Sequence, residues 1–173
     1  MKPFAHIGAF AGKASYVLSR ATEILLIVLM AALVLDVWLG VLDRYIFKWQ
    51  LNWPEALARY LMIWTVLLAI SVGIARREHI GLTMFIDKLP PLWRRVLLVA
   101  GDVLALLLFA YLFWYGMGFA AGGAKRQALI FGASLGPAYA AVPVSAALAF
   151  IQLILVILRD RGQYDLRDRA ERN

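Results

Sequence analysis

Four stretches of this chain are apolar over lengths that leave few ways to fold: residues 21–42, 54–75, 96–119 and 139–158. The hydrocarbon core of a bilayer is about 30 Å thick, and a helix needs about 20 mainly apolar residues to cross it. A helix satisfies its own backbone hydrogen bonds, as any segment inside lipid must. The expected fold is therefore an all-α integral membrane protein, one four-span domain covering residues 1–173, with no large soluble part. Composition agrees. The chain is 63% hydrophobic and only 17% charged, against about 25% charged in soluble domains.

Net charge is +7, which in a soluble domain would suggest a nucleic-acid partner. Here the cations flank the apolar runs, as the positive-inside rule requires, and no nucleic-acid partner is expected. Lys2, Lys13, Arg20, Arg76, Arg77, Lys88, Arg94, Arg95, Arg159, Arg161, Arg167, Arg169 and Arg172 fall on one side. Arg44, Lys48, Arg59, Lys125 and Arg126 fall on the other. The richer side is expected to be cytoplasmic, with both termini inside and the region 49–59 outside. The first run is too long for a signal peptide, contains Asp36 and lacks a small-residue cleavage site. It is expected to stay as a span.

Two segments suggest short interfacial amphipathic helices. In 79–89, Leu82, Phe85, Ile86 and Leu89 make one apolar stripe, Asp87 and Lys88 lie off it, and Pro90-Pro91 stops the helix. Near the N-terminus, Phe4, Ile7, Ala11, Ala14 and Leu18 make a second stripe, weakened by Gly8 and Gly12. The tail 159–173 is charged and expected to be solvated.

The start of the second span carries the most chemistry. Asn52 is placed to cap the helix, Pro54 suits its first turn, and Glu55 stands four residues before Arg59 on the same face. Trp53 fits a membrane interface. Trp64 lies about three turns deeper and is expected to pack on another helix. Trp53, Glu55, Arg59 and Trp64 are the candidate partner-interface residues. Arg76, Arg77 and His79 close the same span as a cytoplasmic anchor that meets membrane lipid. Asp36 and Asp102 are acids well inside spans. They read either as a proton or cation relay or as acids packed toward the two surfaces. Gly118 and Gly122, four apart, would permit close helix approach. There is no cysteine, and no histidine at membrane depth for a haem. No Walker loop, HExxH or CxxC is present. No cofactor, metal or enzymatic activity is expected.

The ordered set Trp53-Pro54-Glu55-Ala56-Leu57-Ala58-Arg59-Tyr60, then Trp64, then Ala75-Arg76-Arg77-Glu78-His79-Ile80, then Asp87-Lys88-Leu89-Pro90, resembles a known family. It is similar to the small, DctQ-like membrane subunit of tripartite ATP-independent periplasmic (TRAP) transporters. Leu135-Gly136-Pro137-Ala138-Tyr139 and Val142-Pro143 extend the resemblance, which runs from about Arg44 to Leu158. Tyr139 stands where a tryptophan would be expected, and 69–74 is poorer in glycine. The resemblance implies a small scaffold subunit of a sodium-driven secondary transporter in the bacterial inner (cytoplasmic) membrane. It implies a large membrane subunit and a periplasmic binding protein as partners. Organic acids such as dicarboxylates, sialic acid or other carboxylic acids would be the substrates. The competing reading is a small proton-coupled, multidrug-type exporter that works as a homodimer through Asp36.

Overall fold

The computed structural model describes residues 3–76, 90–127 and 134–160. Among them are α1 (Pro3–Leu42), a π-helical turn (Asp43–Phe47), α2 (Pro54–Arg76), α3 (Pro91–Ala124), α4 (Gly136–Tyr139) and α5 (Ala141–Asp160). Four helical stretches are long and apolar enough to cross a membrane: Gly8–Phe47, Pro54–Arg76, Leu92–Ala124 and Gly136–Asp160. The all-α membrane fold expected from the apolar runs is present. The expected interfacial helix 79–89, and the tail beyond Asp160, lie outside the described residues.

Besides the third span, which runs Pro91–Ala124 where 96–119 was expected, two boundaries differ from expectation. The N-terminal amphipathic segment is not a separate helix but the first half of α1, which runs unbroken for 40 residues. At 1.5 Å per residue that is about 60 Å, twice the hydrocarbon thickness. Its buried stripe is also polar rather than apolar: Ala11, Ser15, Ser19 and Thr22 face the bundle, while Phe10, Tyr16 and Val17 are exposed. Small side chains let helices approach closely. The Thr22 hydroxyl donates back to the Leu18 carbonyl at 2.9 Å, which satisfies it inside its own helix. The second difference is at the last span, where a four-residue helix, α4, precedes α5.

The spans alternate in direction. α1 meets α2 through Glu23 and Arg76 at one end and through Gly40 and Pro54 at the other. We call these the Arg76 end and the Pro54 end. α5 is the central helix and packs on α1, α2 and α3. In its most apolar window 44% of residues are buried, against 6% in the windows of α1 and α3. The core joins Ile74 of α2 with Ala149 and Leu153 of α5, flanked by Leu106 and Phe109 of α3. Where α3 meets α4 and α5, two glycines make room. A Cβ on Gly116 would press on Pro143 at 3.2 Å, and one on Gly123 would overlap the Tyr139 ring. That ring stacks on Phe119 at 4.4 Å. Gly118 and Gly122, the pair expected to allow close approach, face open space: a Cβ at either would have nothing within 4 Å.

Candidate functional site

The Pro54 end is built around a carboxylate not singled out on sequence. Asp43 is 5% exposed. Its carboxylate accepts the backbone N–H of Trp49 at 2.7 Å and of Leu51 at 2.8 Å. Its carbonyl accepts the N–H of Lys48 at 2.6 Å, closing the π turn. Lys48 and Gln50 both sit at positive φ, 53° and 57°, a conformation that costs a non-glycine residue energy unless surroundings hold it. Asp43 supplies that hold. The signal available in sequence was slight: an acid at the end of an apolar run, followed by a short linker without glycine.

The linker delivers Trp49, exposed and stacked on Phe47 at 4.5 Å, and then the start of α2. The first helical hydrogen bond runs from Leu57 N–H to the Trp53 carbonyl at 3.0 Å. The N-cap is therefore Trp53, one residue after the expected Asn52. Pro54 is buried against Gly40. Arg59 Nη2 meets Glu55 Oε1 at 3.2 Å, and both side chains are largely exposed. An exposed i,i+4 pair of this kind is worth about 0.3–0.5 kcal/mol. Trp64 lies nine residues after Glu55, about half a turn round the helix. Its Nε1 donates to the Pro137 carbonyl at 3.1 Å and ties α2 to α4. The structure thus brings Trp53, Glu55 and Arg59 to one helix start and turns Trp64 inward.

Between α1 and the start of α2 lies a groove of about 970 Å³, lined by Asp36, Val41, Asp43, Arg44, Lys48 and Glu55 among others. Asp36 is 6% exposed, and neither carboxylate oxygen has a hydrogen-bond partner. The Ala58 backbone amide lies beside it without completing a hydrogen bond. Asp102, the other intramembrane acid, is half-buried on α3.

At the Arg76 end, Glu23 holds two arginines, Arg76 at 2.8 Å and Arg20 at 3.0 Å. Gln152, wholly buried on α5, donates to Ser15 Oγ at 2.6 Å. Arg159 Nη1 reaches the Ala75 carbonyl at 3.4 Å, at the end of α2. Arg76 thus braces α1 as well as closing its own helix. Arg77 and His79 lie outside the described residues.

Among the described residues, no group of three or more His, Cys, Asp or Glu side chains converges as a metal site would require. The run Gly132-Ala133-Ser134-Leu135-Gly136 does spell G-x-S-x-G, the pattern of a hydrolase nucleophile. A nucleophile elbow needs a strand leading into the serine, and residues 128–133 lie outside the described residues. Ser134 sits in an isolated bridge with Gln127, and its Oγ accepts the Gly136 N–H at 3.0 Å.

The chain matches the family described as tripartite ATP-independent periplasmic transporters, DctQ component, over residues 33–162. A Haemophilus influenzae protein provisionally named a TRAP transporter small permease is 30% identical over 93 residues, 54% of this chain and 58% of that one. The sialic acid TRAP transporter small permease protein SiaQ of Vibrio cholerae is 34% identical over 96 residues, 53% of each chain. An isethionate TRAP transporter permease protein, DctMQ, of Oleidesulfovibrio alaskensis is 32% identical over 65 residues, 38% of this chain and 10% of that one. In the first two relatives the match spans a little over half of the relative's length.

Proposed function

This chain belongs to the DctQ component family of the TRAP transporters, and from that premise we propose that it is the scaffold subunit of a sodium-driven importer of organic acids. Membership makes it a small membrane subunit of a transporter rather than an enzyme, and it takes the place of the exporter reading that Asp36 had left open. The proposal adds a large membrane subunit and a periplasmic binding protein as partners, and residence in the bacterial inner membrane with both termini cytoplasmic. Relatives named for sialic acid and isethionate support an organic acid as the substrate class.

One observation carries the scaffold role. Polar side chains that join one helix to another gather toward the two ends of the bundle, and Thr65, buried at the middle of α2, donates back to the Leu61 carbonyl of its own helix, while α1 and α3 turn long apolar faces outward. Ile27, Leu35 and Trp38 on α1 and Leu104, Leu107 and Trp114 on α3 are each more than 60% exposed. Secondary transporters bind their substrate and ions at mid-depth, often on broken helices. Here α2, α3 and α5 run unbroken through that depth. Such a body suits packing against another membrane protein, with lipid on the remaining faces. The cation asymmetry supports the orientation: Arg20, Arg76 and Arg159 collect at the Arg76 end.

Reconstitution tests the reading. The chain, its large subunit and its binding protein are placed in liposomes under an inward sodium gradient with labelled sialic acid, isethionate or a dicarboxylate. Uptake is expected only with all three present, and none from this chain alone. Uptake that persists when the chain is omitted would remove the subunit role.

A further inference from the structure

We infer that Asp36 receives a basic side chain of the large membrane subunit, entering the groove between α1 and the start of α2. The inference rests on the proposed assembly with that subunit. Asp36 is the anomaly of the Pro54 end: 6% exposed, on a membrane-spanning helix, with both carboxylate oxygens unpartnered. Acids inside spans are met by an opposite charge, by backbone groups or by water, because an isolated charge in hydrocarbon is costly.

The chain's own groups do not fill the role. Asp43 already accepts two N–H groups, and Glu55 is exposed and paired with Arg59. Arg44 and Lys48 line the same groove but are exposed. Arg44 stands eight residues beyond Asp36, about 12 Å further along the chain if helical. A bare metal ion would find too few ligands, since the acids that line the groove, Asp36, Asp43 and Glu55, do not converge on one point. A lysine or arginine side chain fits better. The groove of about 970 Å³ has apolar walls from Val37, Val41 and Leu51. Those walls suit an aliphatic stem that carries its charge to the acid. Val37 and Val41, the apolar side chains of α1 that line the same groove, are each about half exposed on a membrane-spanning helix, which favours an occupant embedded in the membrane over a soluble one.

The test co-expresses the tagged chain with its large subunit and measures how much large subunit is recovered. Asp36→Asn and Asp36→Leu are expected to reduce recovery at least about tenfold, because each strands the partner's buried charge. Asp36→Glu should keep most of it. The isolated chain should melt at the same temperature or higher with Asp36→Leu, since the orphan charge is gone. Undiminished recovery with Asn and Leu overturns the inference. So does an equal loss of stability in the isolated chain, which would assign Asp36 to internal packing. If the wild-type chain recovers no large subunit, the assembly reading itself fails. A photoreactive residue at Val41 gives a second readout. Its adduct should lie on a large-subunit peptide beside a Lys or Arg, and adducts only with lipid or this chain overturn the inference.

Discussion

The carboxylate of Asp43 accepts the backbone N–H of Trp49 at 2.7 Å, six residues along the chain. With the Leu51 bond it makes one side chain the organiser of the whole α1–α2 connection. Each bond to a charged group contributes about 1.5–3 kcal/mol. Asp43→Ala should therefore destabilise the connection by about 2–4 kcal/mol, while Asp43→Asn, which can still accept one N–H, should lose less. Limited proteolysis between Arg44 and Asn52 reads the effect locally, and thermal melting in detergent reads it globally.

Ser15 and Gln152 join α1 to α5 through a buried side-chain hydrogen bond of 2.6 Å. Buried hydrogen bonds between membrane helices average about 0.6 kcal/mol in double-mutant cycles and reach about 1.7. A cycle of Ser15→Ala, Gln152→Leu and the double change should show coupling in that range. Zero coupling would mean that packing, not the bond, holds the N-terminal half of α1 to the bundle.

Gly122 and Gly123 are neighbours with opposite environments. Alanine at 123 must displace the Tyr139 ring and should cost about 1–3 kcal/mol. Alanine at 122 meets open space and should be neutral or stabilise the helix by up to about 1 kcal/mol. Melting temperatures of the two variants give the sign directly.

The topology can be read chemically because the chain has no cysteine. Under the proposed orientation, a cysteine at Gln50 labels with an impermeant reagent from outside and one at Gln163 does not. The reverse pattern would turn the protein over in the membrane.

Glu55 and Arg59 are exposed, so as an isolated pair they contribute well under about 1 kcal/mol. If they and Trp53 touch a partner, the outcome differs. Arg59→Ala and Trp53→Ala should then reduce uptake by the whole system about tenfold or more, with insertion and accumulation normal. Full uptake in both variants would leave these residues as helix start and membrane anchor.

The presence of four long apolar spans and the unequal distribution of cations were determined by the sequence alone. Span length is set by bilayer thickness, and helix ends are written in local residues such as Pro54 and Pro90-Pro91. The tertiary structure decided what sits against what: α5 at the centre, Gly116 and Gly123 rather than Gly118 and Gly122 at the close approach, Glu23 across from Arg76, and Asp36 buried beside α2. In water, an amphipathic pattern shows which face turns inward. In lipid the outside is as apolar as the inside, so the contrast that would mark the packed face of α1 or α3 is largely absent. Only the contacts with neighbouring helices distinguish a buried serine stripe from an exposed aliphatic one.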